Sequence, residues 1–216
     1  MVNRISDVLL GTLLLILALP LLSVSAAAVW LTSKGPVFFA HTRCGRHGIP
    51  FRCLKFRTMV VDAENWLIRD PDLRAVHREN GFKLQSRWDP RVTKLGHLLR
   101  RTHLDELPQL LNVIRGDMSL VGPRPIVEEE LEWYGDHKVE YLSVRPGVFG
   151  AWTAKGRSRA DYPARTLVEL SYIRDTFWLK DVLILLQHIP VILAGQTEDR
   201  APGWGKMGHK EVSSSE

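Results

Sequence analysis

The chain opens on an apolar run: residues 8–31 are 24 positions without a charge, bracketed by Arg4 and Lys34. At ~1.5 Å of rise per residue, a helix of that length reaches across a bilayer. Three readings compete. The run can be a plain spanning helix. It can be a cleaved signal peptide, since Val24, Ser25 and Ala26 before Ala27 and Ala28 resemble a small-residue cleavage site, although the single Arg on the amino-terminal flank is offset by Asp7. It can also be a re-entrant hairpin broken at Pro20, which removes a backbone donor in mid-segment. Basic residues on both flanks favour keeping both ends on the cytoplasmic side.

After Ser33 the pattern changes. Gly35 and Pro36 mark a turn, residues 37–40 read as a strand, 43–50 as a loop carrying Gly45 and Gly48, and 51–56 as a returning strand. Residues 57–78 mix apolar and charged positions in helical fashion, interrupted at Asp70 and Pro71. Beyond the turn at Asp89 and Pro90, Val92, Leu95, Leu98 and Leu99 recur at helical spacing beside Lys94, Arg100 and Arg101. Such a basic amphipathic helix suits a membrane surface and an ordinary domain equally. Residues 166–174 form a further predicted helix, and the apolar stretch 178–194, interrupted by Pro190, is a core or interfacial helix. Gly, Ser and charge dominate residues 197–216, an expected flexible tail. The predicted organisation is a membrane segment (1–34), a mostly helical α+β domain (35–196) and that tail.

Composition narrows this little. The 29 basic and 24 acidic residues leave a net charge of +5, which suits nucleic acid, phospholipid headgroups or a nucleotide without choosing among them. Two cysteines, Cys44 and Cys53, supply no disulfide framework. With His41 and His47 they fall outside the usual zinc-ligand spacings, and ordinary loop and strand residues are the better reading.

The chemistry concentrates at residues 101–116. Asp105 is placed to cap a helix, with Pro108 inside the first turn and Gly116 as the stop. The free amides and dipole of a helix start favour a carboxylate and a phosphate beside it. On this segment alone, a capping Asp105 and a solvated Glu106 are the better reading. The balance shifts with residues 119–125, SLVGPRP, where Gly122 allows close backbone approach, two prolines stiffen the loop and Arg124 presents a fork suited to phosphate. Lys55 and Arg57 add two cations beside the hairpin.

In order, SKGPVFF at 33–39, Arg43 with Gly45 and Gly48, KFRTM at 55–59, DPRVT at 89–93, LDELPQ at 104–109 and SLVGPRP at 119–125 resemble the bacterial sugar transferase family, the monotopic phosphoglycosyl transferases, from about residue 3 to 195. That resemblance implies a re-entrant membrane helix hinged at Pro20 and interfacial amphipathic helices at the cytoplasmic face of the bacterial inner membrane. It implies Asp105 attacking the β-phosphate of a UDP-sugar, release of UMP, and passage of the sugar phosphate to undecaprenyl phosphate. Mg²⁺ would sit at Asp105 and Glu106, with Glu106 assisting. Lys55, Arg57, Arg101 and Arg124 would neutralise substrate phosphates, and Arg145, Gly156 and Arg157 would contact nucleotide or sugar. Membrane phospholipid and downstream glycosyltransferases are the further partners implied, and nucleic acid is not. Two departures stand out: Leu19 precedes Pro20 where members usually carry Ser, and residues 151–157 replace a Gln-containing run. A non-catalytic basic membrane adaptor and a secreted binding protein are the alternatives from other classes.

Overall fold

The computed structural model describes residues 4–79, 84, 86, 89–155, 162–175 and 177–193. The tail expected at 197–216, together with Gly156 and Arg157, lies outside the described residues.

Helix α1 (Arg4–Thr32) passes through Pro20 without ending. The hairpin break expected at that residue is therefore corrected. A proline inside a helix takes away one donor and crowds one carbonyl, and the apolar turns on either side continue the helix past it. Among the described residues α1 is the one helix long and apolar enough to cross a membrane. Its inner face nevertheless packs on the rest of the protein from one end to the other. At the start, Arg4 donates to the carbonyl oxygens of Val113 and Ile114, the latter at 2.6 Å. Asp7, 2% exposed, accepts from the Ser119 hydroxyl at 2.8 Å and from the Leu120 amide at 2.9 Å. Farther along, Leu14, Leu15 and Ala18 pack on the main core, and Val29 is buried with Phe56 and Leu99. The outer face leaves Leu9, Leu13, Leu17, Leu21 and Val24 half or more exposed.

Strands β1 (Phe38–Cys44) and β2 (Pro50–Phe56) form the predicted hairpin, antiparallel with His41 opposite Cys53 and Phe39 opposite Lys55. Helices α2 (Ala63–Arg69) and α3 (Pro71–Glu79) meet at the predicted break, and the helix expected from residue 57 starts only at Ala63, after the bridge between Met59 and Val92 and the left-handed Asp62. Helix α4 (Lys94–Arg101) is capped by Thr93, whose hydroxyl accepts from the Gly96 amide. A 3-10 turn (Leu104–Glu106) leads to α5 (Gln109–Arg115), which stops at Gly116 with φ of 98°. Strand β3 (Ser119–Val121) then pairs in parallel with β4 (Gly147–Phe149). Between them run a 3-10 segment (Glu128–His137) and α6 (Lys138–Leu142), and α7 (Ala151–Ala154), α8 (Ala164–Arg174) and α9 (Trp178–Leu193) follow.

The main core joins Phe51 and Cys53 of β2, Leu110 and Val113 of α5, and Leu120 of β3. Helix α9 turns Asp181, Ile184 and His188 inward and leaves Trp178, Val182, Leu183, Leu186 and Ile189 exposed, an outward apolar stripe at helical spacing. The molecule is thus mostly helical α+β, with a small antiparallel sheet and one long apolar amino-terminal helix, as expected.

Candidate active site

Side chains alternate across a strand, so Arg43, Cys53 and Lys55 share one face of the hairpin through the pairing of Arg43 with Phe51, His41 with Cys53 and Phe39 with Lys55. That face forms one wall of a small cleft, also lined by Glu106, Gln109, Arg124, Pro125, Gly147 and Val148. Gly147 and Val148 of β4 line it from another side, where the Gly147 amide donates to Pro123 O at 2.8 Å. Gly122 and Gly147 are glycines because the two backbones touch: a Cβ on Gly122 would meet Arg145 O at 2.7 Å and the Gly147 nitrogen at 2.8 Å.

Glu106 is the electrostatic centre of the cleft. Its Oε1 accepts from Lys55 Nζ at 2.6 Å and lies 3.3 Å from Arg124 Nη2. Burial alone would push this carboxyl up, but Lys55 and then Arg124 outweigh it and hold Glu106 well below the usual carboxylate range. The acid is ionised at neutral pH. Arg43, paired with Glu130, also lines the cleft, so the lining carries three cations and one carboxylate, an arrangement that receives polyanions.

Asp105 does not cap α5, which corrects the sequence expectation. Thr102 and the left-handed His103 (φ 56°) end α4, Asp105 falls inside the 3-10 turn, and Pro108 takes the cap position of a helix starting at Gln109. Asp105 is 7% exposed, and the cleft-lining residue of the turn is its neighbour Glu106. Consecutive residues of a 3-10 helix point about 120° apart, so the two carboxylates leave adjacent positions of the turn in different directions.

Of the remaining expected residues, Lys55 and Arg124 come together at Glu106, and three others stand elsewhere. Arg57 is buried at the end of α1, its Nη2 donating to Ser33 O at 2.7 Å. Arg101 is exposed on the last turn of α4. Arg145 donates through Nε to Gly116 O at 2.9 Å and so binds the end of α5. The cleft also includes Arg43 and Gln109, which carry no expected role in the sequence reading; the two-residue alternation from Arg43 across to Cys53 and Lys55 was the available signal. The four-ligand zinc set does not assemble: among the described residues no group of three or more His, Cys, Asp or Glu side chains could hold a metal.

The chain matches the family described as bacterial sugar transferase over residues 1–195. It belongs to that family. It is 42% identical over 196 residues to an exopolysaccharide production protein of Rhizobium meliloti, covering 89% of this chain and 85% of the relative. It is 42% identical over 201 residues to an undecaprenyl-phosphate galactose phosphotransferase of Salmonella typhimurium, covering 88% of this chain. It is 43% identical over 190 residues to a UDP-galactose-lipid carrier transferase of Erwinia amylovora, covering 86% of this chain. The chain spans about two fifths of the length of the Salmonella and Erwinia proteins, 40% and 39%. As a member of that family it carries LDELPQ in the turn that presents Glu106, and PRP in the loop that presents Arg124, and both residues line one cleft.

Proposed function

We propose that the protein transfers a sugar 1-phosphate from a UDP-sugar to undecaprenyl phosphate, an early membrane step in assembling a polysaccharide or other glycoconjugate. The observation that carries this reading is the ionised Glu106 clamped by Lys55 and Arg124 in a cleft also lined by Arg43. Two substrates that each bring phosphate charge to one place require such cations. Names of relatives add the substrate classes: lipid carrier, undecaprenyl phosphate and UDP-sugar.

In the proposed chemistry an Asp105 carboxylate oxygen attacks the sugar-bearing β-phosphorus. The bond from that phosphorus to the bridging oxygen breaks, and UMP departs with the electron pair. A phosphate oxygen of undecaprenyl phosphate then attacks the same phosphorus and the aspartyl bond breaks, restoring the carboxylate. Lys55, Arg43 and Arg124 hold the phosphates during both steps. Arg57, Arg101, Arg145, Gly156 and Arg157 remain proposed substrate contacts on the family resemblance alone. The donor set also suits Mg²⁺, which takes oxygen ligands from one or two carboxylates and fills its shell with water and substrate phosphate. Glu106 and its neighbour Asp105 would hold the ion beside bound substrate, while Lys55 and Arg124 stay on Oε1 of Glu106. When bound, Mg²⁺ offsets phosphate charge.

The outer faces of α1 and α9 are proposed to lie in the cytoplasmic leaflet of the inner membrane. A continuous helix whose first and last turns both pack on one catalytic body suits a segment lying along one side of the membrane.

The test is to supply the purified full chain in nanodiscs with undecaprenyl phosphate and a panel of sugar-labelled UDP-sugars. The expected result is label in the lipid with equal release of UMP. Release of UDP in place of UMP would make the protein a glycosyl rather than a phosphoglycosyl transferase, and no turnover with any donor would sink the reading.

A further inference from the structure

Arg124 reaches the cleft from a main chain that is held from behind. Its amide donates to Glu169 Oε1 at 3.3 Å, and its carbonyl oxygen accepts from the Tyr141 hydroxyl at 2.6 Å and from Arg165 Nη2 at 3.4 Å. Pro123 and Pro125 on either side have no amide hydrogen of their own, so these contacts anchor the loop at its middle residue. Glu169 and Arg165 are each 1% exposed and pair through Oε1 and Nε at 3.0 Å, while the Tyr134 hydroxyl donates to Glu169 Oε2. On its other side Arg165 lies 3.6 Å from Glu130 Oε1, and Glu130 Oε2 lies 3.5 Å from Arg43 Nη1. One buried chain of alternating charge, Glu130, Arg165 and Glu169, therefore meets both cleft arginines: Arg43 by its side chain and Arg124 by its main chain. None of the three lines the cleft.

Buried ion pairs contribute little net stability, because desolvation consumes most of the attraction. Fully satisfied polar networks do fix geometry. Burial pushes the Tyr141 hydroxyl well above its ordinary range, so it remains a donor throughout the working pH range.

The geometry points to Tyr141 and the Glu169–Arg165 pair as positioning residues that set where the Arg124 guanidinium meets the substrate phosphate. This rests on the proposed placement of Arg124 against that phosphate. Displacement of a phosphate clamp by about 1 Å costs up to 100-fold in rate, so loss of one of the anchors is expected to cost about 10-fold.

The test uses Tyr141→Phe, which keeps the packed ring, and Glu169→Gln, which keeps the shape, in the full chain. Hydrogen exchange is followed on the peptide spanning residues 122–126, in which Arg124 carries the amide bonded to Glu169. Steady-state kinetics are measured with the UDP-sugar, and the thermal midpoint confirms folding. In both variants the Arg124 amide is expected to exchange faster and KM to rise at least fivefold. In an Arg124→Lys background, Tyr141→Phe is expected to cost clearly less than it does in the native chain, because it acts through the guanidinium. Unchanged exchange at Arg124 overturns the inference whether or not the protein turns over a UDP-sugar. Faster exchange with unchanged KM and kcat also overturns it, as does an equal loss in the Arg124→Lys background. A wild-type protein inactive with every UDP-sugar fails the functional reading separately, and the exchange result still decides the anchoring.

Discussion

Replacing Lys55 by Met separates a catalytic cation from a structural one. Lys55 Nζ lies 2.6 Å from Glu106 Oε1, and the two side chains are 22% and 17% exposed. At an effective dielectric constant of ~20 the direct attraction at that distance is about 6 kcal/mol. Desolvation and side-chain ordering consume most of it, and Arg124 remains 3.3 Å from the same oxygen, so Glu106 is not left unpaired. The net loss of stability is expected to be about 1 kcal/mol, or a few degrees in the thermal midpoint. Turnover is expected to fall much further, by about 100- to 1000-fold, the usual effect of deleting one preorganised charge partner of a reacting phosphate. The pH profile carries a second signature. A depressed folded-state carboxyl gives stabilisation that is complete above the ordinary carboxylate range and is lost only as the pH falls through the depressed value. The native protein therefore has no acid limb from Glu106 near neutrality. With Lys55 gone, the largest lowering influence disappears and burial still acts to raise the value, so the acid limb moves upward. The assay pairs UMP release across pH with thermal unfolding of the same preparation. A midpoint many degrees lower with near-native turnover in the folded fraction would show Lys55 to be structural, and turnover within threefold of native would refute its placement at the phosphates.

Gly122→Ala places a Cβ against two main-chain atoms of the facing strand. It is expected to cost about 2 kcal/mol in chemical unfolding and to lower turnover, because Arg124 follows two residues later; native behaviour in both assays would contradict the close approach. Chelation of divalent ions is expected to stop UMP release, and added Mg²⁺ to restore it. The midpoint of the substrate-free protein should stay unchanged, since two carboxylates alone hold the ion weakly. With Cys44 and Cys53 replaced by Ala, single cysteines at Asn3 or Ser33 are expected to react with an impermeant thiol reagent only after spheroplasts are lysed. Labelling of Asn3→Cys but not Ser33→Cys on intact spheroplasts would show a through-span.

The parts of the fold that read well from sequence are those with a local cause. The hairpin follows from apolar runs on either side of a glycine-bearing loop, the α2–α3 break from Asp70 and Pro71, and the end of α5 from a glycine able to take φ of 98°. The parts that did not read depend on partners distant in sequence. Strands β3 and β4 are three residues each and pair across 25 intervening residues, 122–146, too short for a periodicity to show. The turn holding Asp105 is set by His103 adopting a left-handed conformation, which composition does not announce. Glu130, Arg165 and Glu169 look like solvated charges in sequence and are buried because each finds an opposite charge or hydroxyl inside. Pro20 read as a break because its local effect is real, yet one missing donor does not end a 29-residue apolar helix. At the site, Lys55, Glu106 and Arg124 meet in one cleft, whereas Arg57, Arg101 and Arg145 lie outside its lining, and sequence spacing alone could not distinguish the two groups.

The central claim is that Asp105 carries the sugar phosphate. Intact-protein mass measured after mixing the full chain with its UDP-sugar and Mg²⁺, without undecaprenyl phosphate, tests it directly. The expected result is an adduct of one sugar phosphate on the peptide containing Asp105. It should appear with a stoichiometric burst of UMP, be discharged on adding undecaprenyl phosphate, and be absent in Asp105→Asn. An adduct on another peptide, or UMP release that begins only when the lipid acceptor is present and leaves no adduct, would contradict it.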